Sequence, residues 1–238
     1  MASYAGHLSL SAVLGAAYGS AGAYYYQLDW GPALLAAGLT TIGGVLPDLD
    51  SDSGVPVREL FGLGAVVVPF LVLRRLVNLQ LTFEELIVVM AGIYLFVRYG
   101  VSEIFRRITV HRGIFHSVPA MAIAGLTVFL LYHSPDTQLR VYFALGTMVG
   151  FLSHLVLDEL CSVDFSGAAL HLNQFAGSAL KLYSQSWPVT VSTYLLLCSL
   201  GYLASREIAN PNETWHTWQH RTLNIASSWK ALLNQDRK

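Results

Sequence analysis

Four short stretches of the chain carry residues of the kind that bind metal ions. His7 stands near the start, and Asp48 and Asp50 follow a proline in VLPDLDSD. His111 and His116 lie in HRGIFHS, and His154 and Asp158 lie in SHLVLDEL. Imidazole and carboxylate groups suit zinc, and also iron, manganese or nickel. The two cysteines, Cys161 and Cys198, match neither a CxxC zinc motif nor a disulfide framework, so a thiolate-rich structural site has no support. A divalent cation held by histidine and aspartate can generate a nucleophile from water near neutral pH, which suits attack on an ester or phosphoester. Each motif alone also has an ordinary explanation. A histidine at a helix end forms hydrogen bonds, Asp-x-Asp after proline makes a turn and cap, and HRGIFHS can be a basic loop over lipid headgroups. His154 and Asp158, at i and i+4, share one helix face, which fits chelation or a plain hydrogen-bonded pair.

The elements that must position these residues are membrane helices. Of the 238 residues, 54% are hydrophobic and 12% charged, with a mean hydropathy of +0.49. A soluble domain carries about a quarter charged residues, so the missing charge is accounted for if much of the surface faces lipid. A net charge of -1 and a pI of about 6.7 give no case for a nucleic-acid partner. Seven apolar runs suit helices: 8–26, 32–46, 60–76, 84–102, 117–133, 140–158 and 188–204. The first lacks a basic leader and reads as a retained span. The second is short, opened by Pro32, and either just crosses or re-enters. Glu84 and Glu85 suit a helix start, and Ser117 suits an N-cap. From 205 onward, Trp215, Trp218, Thr222, Ile225, Trp229 and Leu232 recur at helical spacing. They fit either a helix lying in the membrane interface or one packed on the protein's own loops. The expected fold is all-α: a polytopic transmembrane bundle of about six to seven spans (1–204) with a C-terminal interfacial amphipathic helix (205–238).

Counting crossings brings the motifs together. His7 precedes the first span, Asp48 and Asp50 follow the second, and His111 and His116 lie between the fourth and fifth. His154 and Asp158 end the sixth. All four motifs fall on one face. Ordinary explanations then require four independent accidents, whereas a metal centre requires one. The expected metal ligands are Asp48, His111, His116, His154 and Asp158, for one or two divalent ions, zinc foremost. Asp50 and His7 are expected as base, orienting group or further ligand, and Arg112 as a group steadying an anionic substrate oxygen; Arg112 equally suits lipid phosphates. His171, in the 159–187 loop, is a reserve candidate. His133 ends the fifth span on the opposite face, and His216 and His220 belong to the tail.

The residues leave three functions open. The first is a metal-dependent hydrolase working at the interface on a phosphoester or lipid-linked substrate. The second is a metal or proton transporter, and the third a membrane anchor or regulatory protein with a structural metal. Membrane lipids are expected partners in each, with a regulatory protein partner in the third. Basic residues in short loops favour a cytoplasmic motif-bearing face, while the basic tail argues the other way.

His7, the GGVLPDLD run, HRGIFHS and SHLVLD together resemble the YdjM-like family of inner-membrane-associated, metal-dependent hydrolases. The resemblance covers roughly residues 1–160. It implies an inner-membrane location and a hydrolase with its metal on these histidines and aspartates. The family motif reads HRGxTHS, whereas here Phe115 takes the threonine's place, sparing both histidines. The family is distantly similar to zinc-dependent phospholipase C and nuclease folds, which would favour a phosphoester.

Overall fold

The computed structural model describes residues 3–50, 54–103, 116–161, 163–166, 169–172, 182–183 and 186–209, with backbone alone at 49–50, 54–59 and the strand residues. Among the described residues, seven long helices occupy the seven apolar runs: α1 (Tyr4–Tyr25), α2 (Trp30–Gly43), α3 (Gly54–Val77), α4 (Phe83–Leu95), α5 (Val118–Leu131), α6 (Thr137–Cys161) and α7 (Trp187–Ala209). A π-helical segment, Phe96–Val101, extends α4. The long connection after α6 holds a short antiparallel hairpin, β1 (Val163–Ser166) and β2 (Ala169–Leu172), with His171 in register with Asp164. Residues 205–209 continue α7; the rest of the expected tail helix lies outside the described residues.

Local chemistry explains the helix starts. Ser3 caps α1 by accepting from the Gly6 amide, and Ser117 caps α5 by accepting from the Ala120 amide. Thr82 and Glu85 form a reciprocal capping box at α4. The 32–46 run divides: α2 stops at Gly43–Gly44, and Leu46–Asp50 forms a tight 3-10 turn that brings the chain back.

Among the described residues, three helical stretches are long and apolar enough to cross a membrane: Leu60–Val77 of α3, and α6 and α7 in full. α5 is apolar but shorter. At 14 residues α2 reaches only about 21 Å, against a hydrocarbon core of about 30 Å. Large apolar side chains such as Phe70, Phe83, Val88, Leu195 and Leu203 are exposed, as lipid-facing positions should be.

The packing that positions the motifs is made by small residues. The buried residues of α1 are His7, Ser11, Gly15, Gly19 and Gly22, one stripe at helical spacing. A Cβ on Gly15 would collide with the Ala37 carbonyl oxygen, and one on Gly19 would lie 2.9 Å from the Ala37 Cβ, so α1 and α2 touch backbone to backbone. A Cβ on Gly43 would strike the Thr147 carbonyl, and one on Gly150 the Thr40 carbonyl, so α2 and α6 are equally close. Such contacts are the usual means of helix association in lipid, where no hydrophobic drive separates helix from solvent. Tyr18 and Tyr142 stack and each donates its hydroxyl to the other's backbone carbonyl (2.8 and 2.5 Å), which clamps α1 to α6.

At the opposite end from the motifs, a buried ionic group ties α3, α5, α6 and α7 together. Arg140 pairs with Glu207 and also donates to the Phe129 carbonyl, while Arg75 donates to the Leu130 carbonyl (2.7 Å). These carbonyls belong to the last turn of α5, whose acceptors have no partner within the helix. His133 is buried beside this group.

Candidate metal centre

The stripes that pack α1, α2 and α6 run directly into the site. On α6 the buried residues Thr147, Gly150, Phe151, His154 and Asp158 recur at three- and four-residue spacing, so the face that meets α2 at Gly150 presents His154 one turn further on. On α1, His7 lies one turn before Ser11 on the stripe that faces α2. The 3-10 turn after α2 carries Asp48, and His116 directly precedes the Ser117 cap of α5. Four segments far apart in the chain therefore deliver His7, Asp48, His116, His154 and Asp158 to one point.

The geometry is tight. His7 Nε2 lies 3.2 Å from Asp158 Oδ1, and His116 Nε2 lies 3.5 Å from Asp158 Oδ2. His154 Nε2 is 3.6 Å from Asp158 Oδ2 and 3.7 Å from Asp48 Oδ1. The His7 and His154 rings stack at 3.6 Å between centroids, 11° from parallel, and His116 meets His154 edge-on at 5.3 Å. His7, His154 and Asp158 form a buried floor, whereas the side chains of His116 and Asp48 keep 18% and 19% of their surface exposed. The cluster is thus closed from within the bundle and open at its end.

These residues fit a divalent ion on two grounds. His154 Nδ1 hydrogen-bonds to the Gly44 carbonyl oxygen at 2.8 Å. In the neutral ring this places the proton on Nδ1 and the lone pair on Nε2, the arrangement by which protein carbonyls orient metal-binding histidines. Nε2 itself is buried with no hydrogen-bond partner, a costly state for a polar atom unless something else engages it. The second ground is spacing. Contacts of 3.5–3.7 Å exceed hydrogen-bond length. Bonds of about 2.0–2.1 Å in tetrahedral geometry set donors about 3.3 Å apart, close to the separations seen. Two overlapping sets of donors lie within 4.8 Å of one another: His7, His154 and Asp158, and Asp48, His116 and His154.

The remaining sequence candidates are placed less fully. The backbone of Asp50 ends the 3-10 turn two residues beyond Asp48. His111 and Arg112 lie outside the described residues. His171 falls on β2, and His133 sits at the far end of the bundle among the arginines. Sequence reasoning did not identify the Gly44 carbonyl as the orienting partner of His154, nor the stacking of His7 on His154. The glycine pair before VLPDLD was the available signal, since it lets α2 and α6 approach closely enough for the bond to form.

Apolar helices bearing exposed hydrophobic faces, with a polar cluster gathered at one end of the bundle, define a multi-pass membrane protein. The chain belongs to the YdjM inner membrane protein family, whose model matches residues 1–172. It is a multi-pass protein of the inner membrane. No curated protein and no solved structure matches it.

Proposed function

We propose that this protein is a metal-dependent hydrolase acting at the membrane interface on a phosphoester or lipid-linked substrate. The observation that carries the proposal is the buried, unbonded Nε2 of His154, oriented by the Gly44 carbonyl into a ring of two further histidines and two aspartates. Asp48, His116, His154 and Asp158 would hold the ion, with His7 against Asp158 as ligand or orienting group and His111 as a further ligand. A divalent ion there would polarise an ester or phosphoester bond and stabilise the charge that develops on it. The carboxylate of Asp158, facing His7, His116 and His154, sets the orientation of three rings at once. The exposed edge at Asp48 and His116 leaves a side for substrate to approach, and Asp50, next along the turn, is the candidate base. Arg112 would steady an anionic oxygen. The location at helix ends favours this reading over transport, whose sites tend to lie near the bilayer midplane on broken helices.

The test is metal content by mass spectrometry on detergent-purified protein, followed by a screen of phosphoester and lipid substrates. Stoichiometric metal that is lost in His154→Ala and Asp158→Ala, together with turnover lost in the same variants, is the expected outcome. Wild-type protein that cannot be loaded with any divalent ion would remove the mechanism. Metal without turnover of any substrate would favour a structural ion, and metal flux in liposomes a transporter.

A further inference from the structure

A half-open cavity of about 380 Å³ lies between α2, α3, α5, α6 and α7. Its lining is apolar except for Thr127, Thr147 and Thr193. Each of those hydroxyls donates to a carbonyl one turn back on its own helix, at Ile123, Phe143 and Val189, so none keeps a free proton to donate to a ligand. The cavity carries no charged group to hold a headgroup or an ion.

Its position relative to the polar cluster is specific. Leu46 at its rim is two residues from Asp48, Phe151 is one turn from His154, and Ala120 is one turn from His116. Three separate segments therefore lead from the cavity to the site. Along α5 the lining runs from Ala120 to Leu131, about 16 Å at 1.5 Å per residue. That is roughly half of the 30 Å hydrocarbon core, the depth of one leaflet. A methylene group occupies about as much space as a water molecule in the liquid, roughly 30 Å³, so the volume accepts a chain of about a dozen carbons.

Resting on the hydrolase reading above, we infer that the substrate is a lipid: one acyl chain of a lipid from the adjoining leaflet occupies this cavity and holds the headgroup linkage at the His–Asp cluster. The chain supplies binding energy remote from the reacting bond, and the apolar walls set its length. Substrates without a chain of this kind would bind weakly, whatever their headgroup.

Gly64 lines the cavity, and a Cβ built on it meets nothing within 4 Å, so Gly64→Phe starts its side chain in open space and is the variant chosen to fill the cavity. The experiment reconstitutes full-length protein in phosphatidylcholine–phosphatidylglycerol vesicles containing a trace of phospholipid with a diazirine midway along one acyl chain. After irradiation, labelled residues are mapped by peptide mass spectrometry and metal per chain is measured in the same samples. The expected result is labelling at cavity residues such as Ile123 and Val67 above that at the lipid-exposed Val66 and Phe70. Gly64→Phe should cut it at least fivefold with metal content unchanged. Ala124→Phe, filling the same cavity from α5, should do likewise and guards against a folding defect in one variant. Labelling at cavity residues no higher than at Val66 and Phe70, or equal in wild type and both variants, would overturn the inference. Cavity labelling in a chain that carries no metal would support the acyl cavity while removing the hydrolase reading.

Discussion

Gly150 offers the sharpest test of how the site is assembled, because replacing it with alanine should damage a centre whose ligands it does not touch. A Cβ there overlaps the Thr40 carbonyl oxygen and comes within 2.9 Å of the Gly44 nitrogen. Both neighbours are backbone, so no rotamer change relieves the clash. A carbon and a carbonyl oxygen settle at about 3.3 Å or more, so α2 must move away from α6 by about 1.4 Å. The hydrogen bond from His154 Nδ1 to the Gly44 carbonyl, 2.8 Å long, spans that same gap and would stretch past useful length. Overpacking of this kind costs about 1–3 kcal/mol. Gly38→Ala, on α2, meets nothing within 4 Å and should gain up to about 1 kcal/mol from helix propensity. Gly150 is also helical and gains the same propensity, so the two variants should differ by the overpacking cost alone, about 1–3 kcal/mol, in favour of Gly38→Ala. Thermal unfolding in detergent, followed by tryptophan fluorescence, measures the difference, and mass spectrometry measures bound metal. If Gly150→Ala melts within about 0.5 kcal/mol of Gly38→Ala and holds as much metal, the close α2–α6 contact does not organise the site.

Further outcomes follow from other parts of the structure. Arg140→Met should destabilise the protein by about 3–5 kcal/mol, because it strands buried Glu207; Arg140→Met combined with Glu207→Leu should recover much of that loss in the same melt. If the cluster holds a divalent ion as proposed, Asp158→Asn, which removes the charge that three histidines face, should weaken the binding of added zinc by about 100-fold, measured by competition with a chelating dye. Tyr142→Phe deletes one of the two reciprocal α1–α6 hydrogen bonds and should cost about 0.5–1.5 kcal/mol with metal retained.

Much of this architecture was legible in the sequence because lipid imposes a simple rule. A helix in hydrocarbon must satisfy its own backbone and show an apolar surface, so apolar runs of the right length mark helices directly, and all seven were found where they were expected. The pairing of His154 with Asp158 was equally readable, since helical periodicity alone puts i and i+4 on one face. Crossing parity then assigned His7, Asp48, His116 and the α6 pair to one end without any knowledge of packing. Three-dimensional packing decided the rest. Parity names a face but not a point on it, and the ends of seven helices spread over tens of ångströms. The glycine contacts of α1 with α2 and of α2 with α6 draw His7, Asp48, His154 and Asp158 together, and α5, packed on α6, brings in His116. The Gly44 carbonyl that orients His154 is a main-chain atom and leaves no side-chain signature. The apolar cavity was likewise invisible in the sequence, since its walls and the outer surface use the same residues. Which of them face inward depends on how each helix is rotated, and that rotation is set by its neighbours rather than by its own composition.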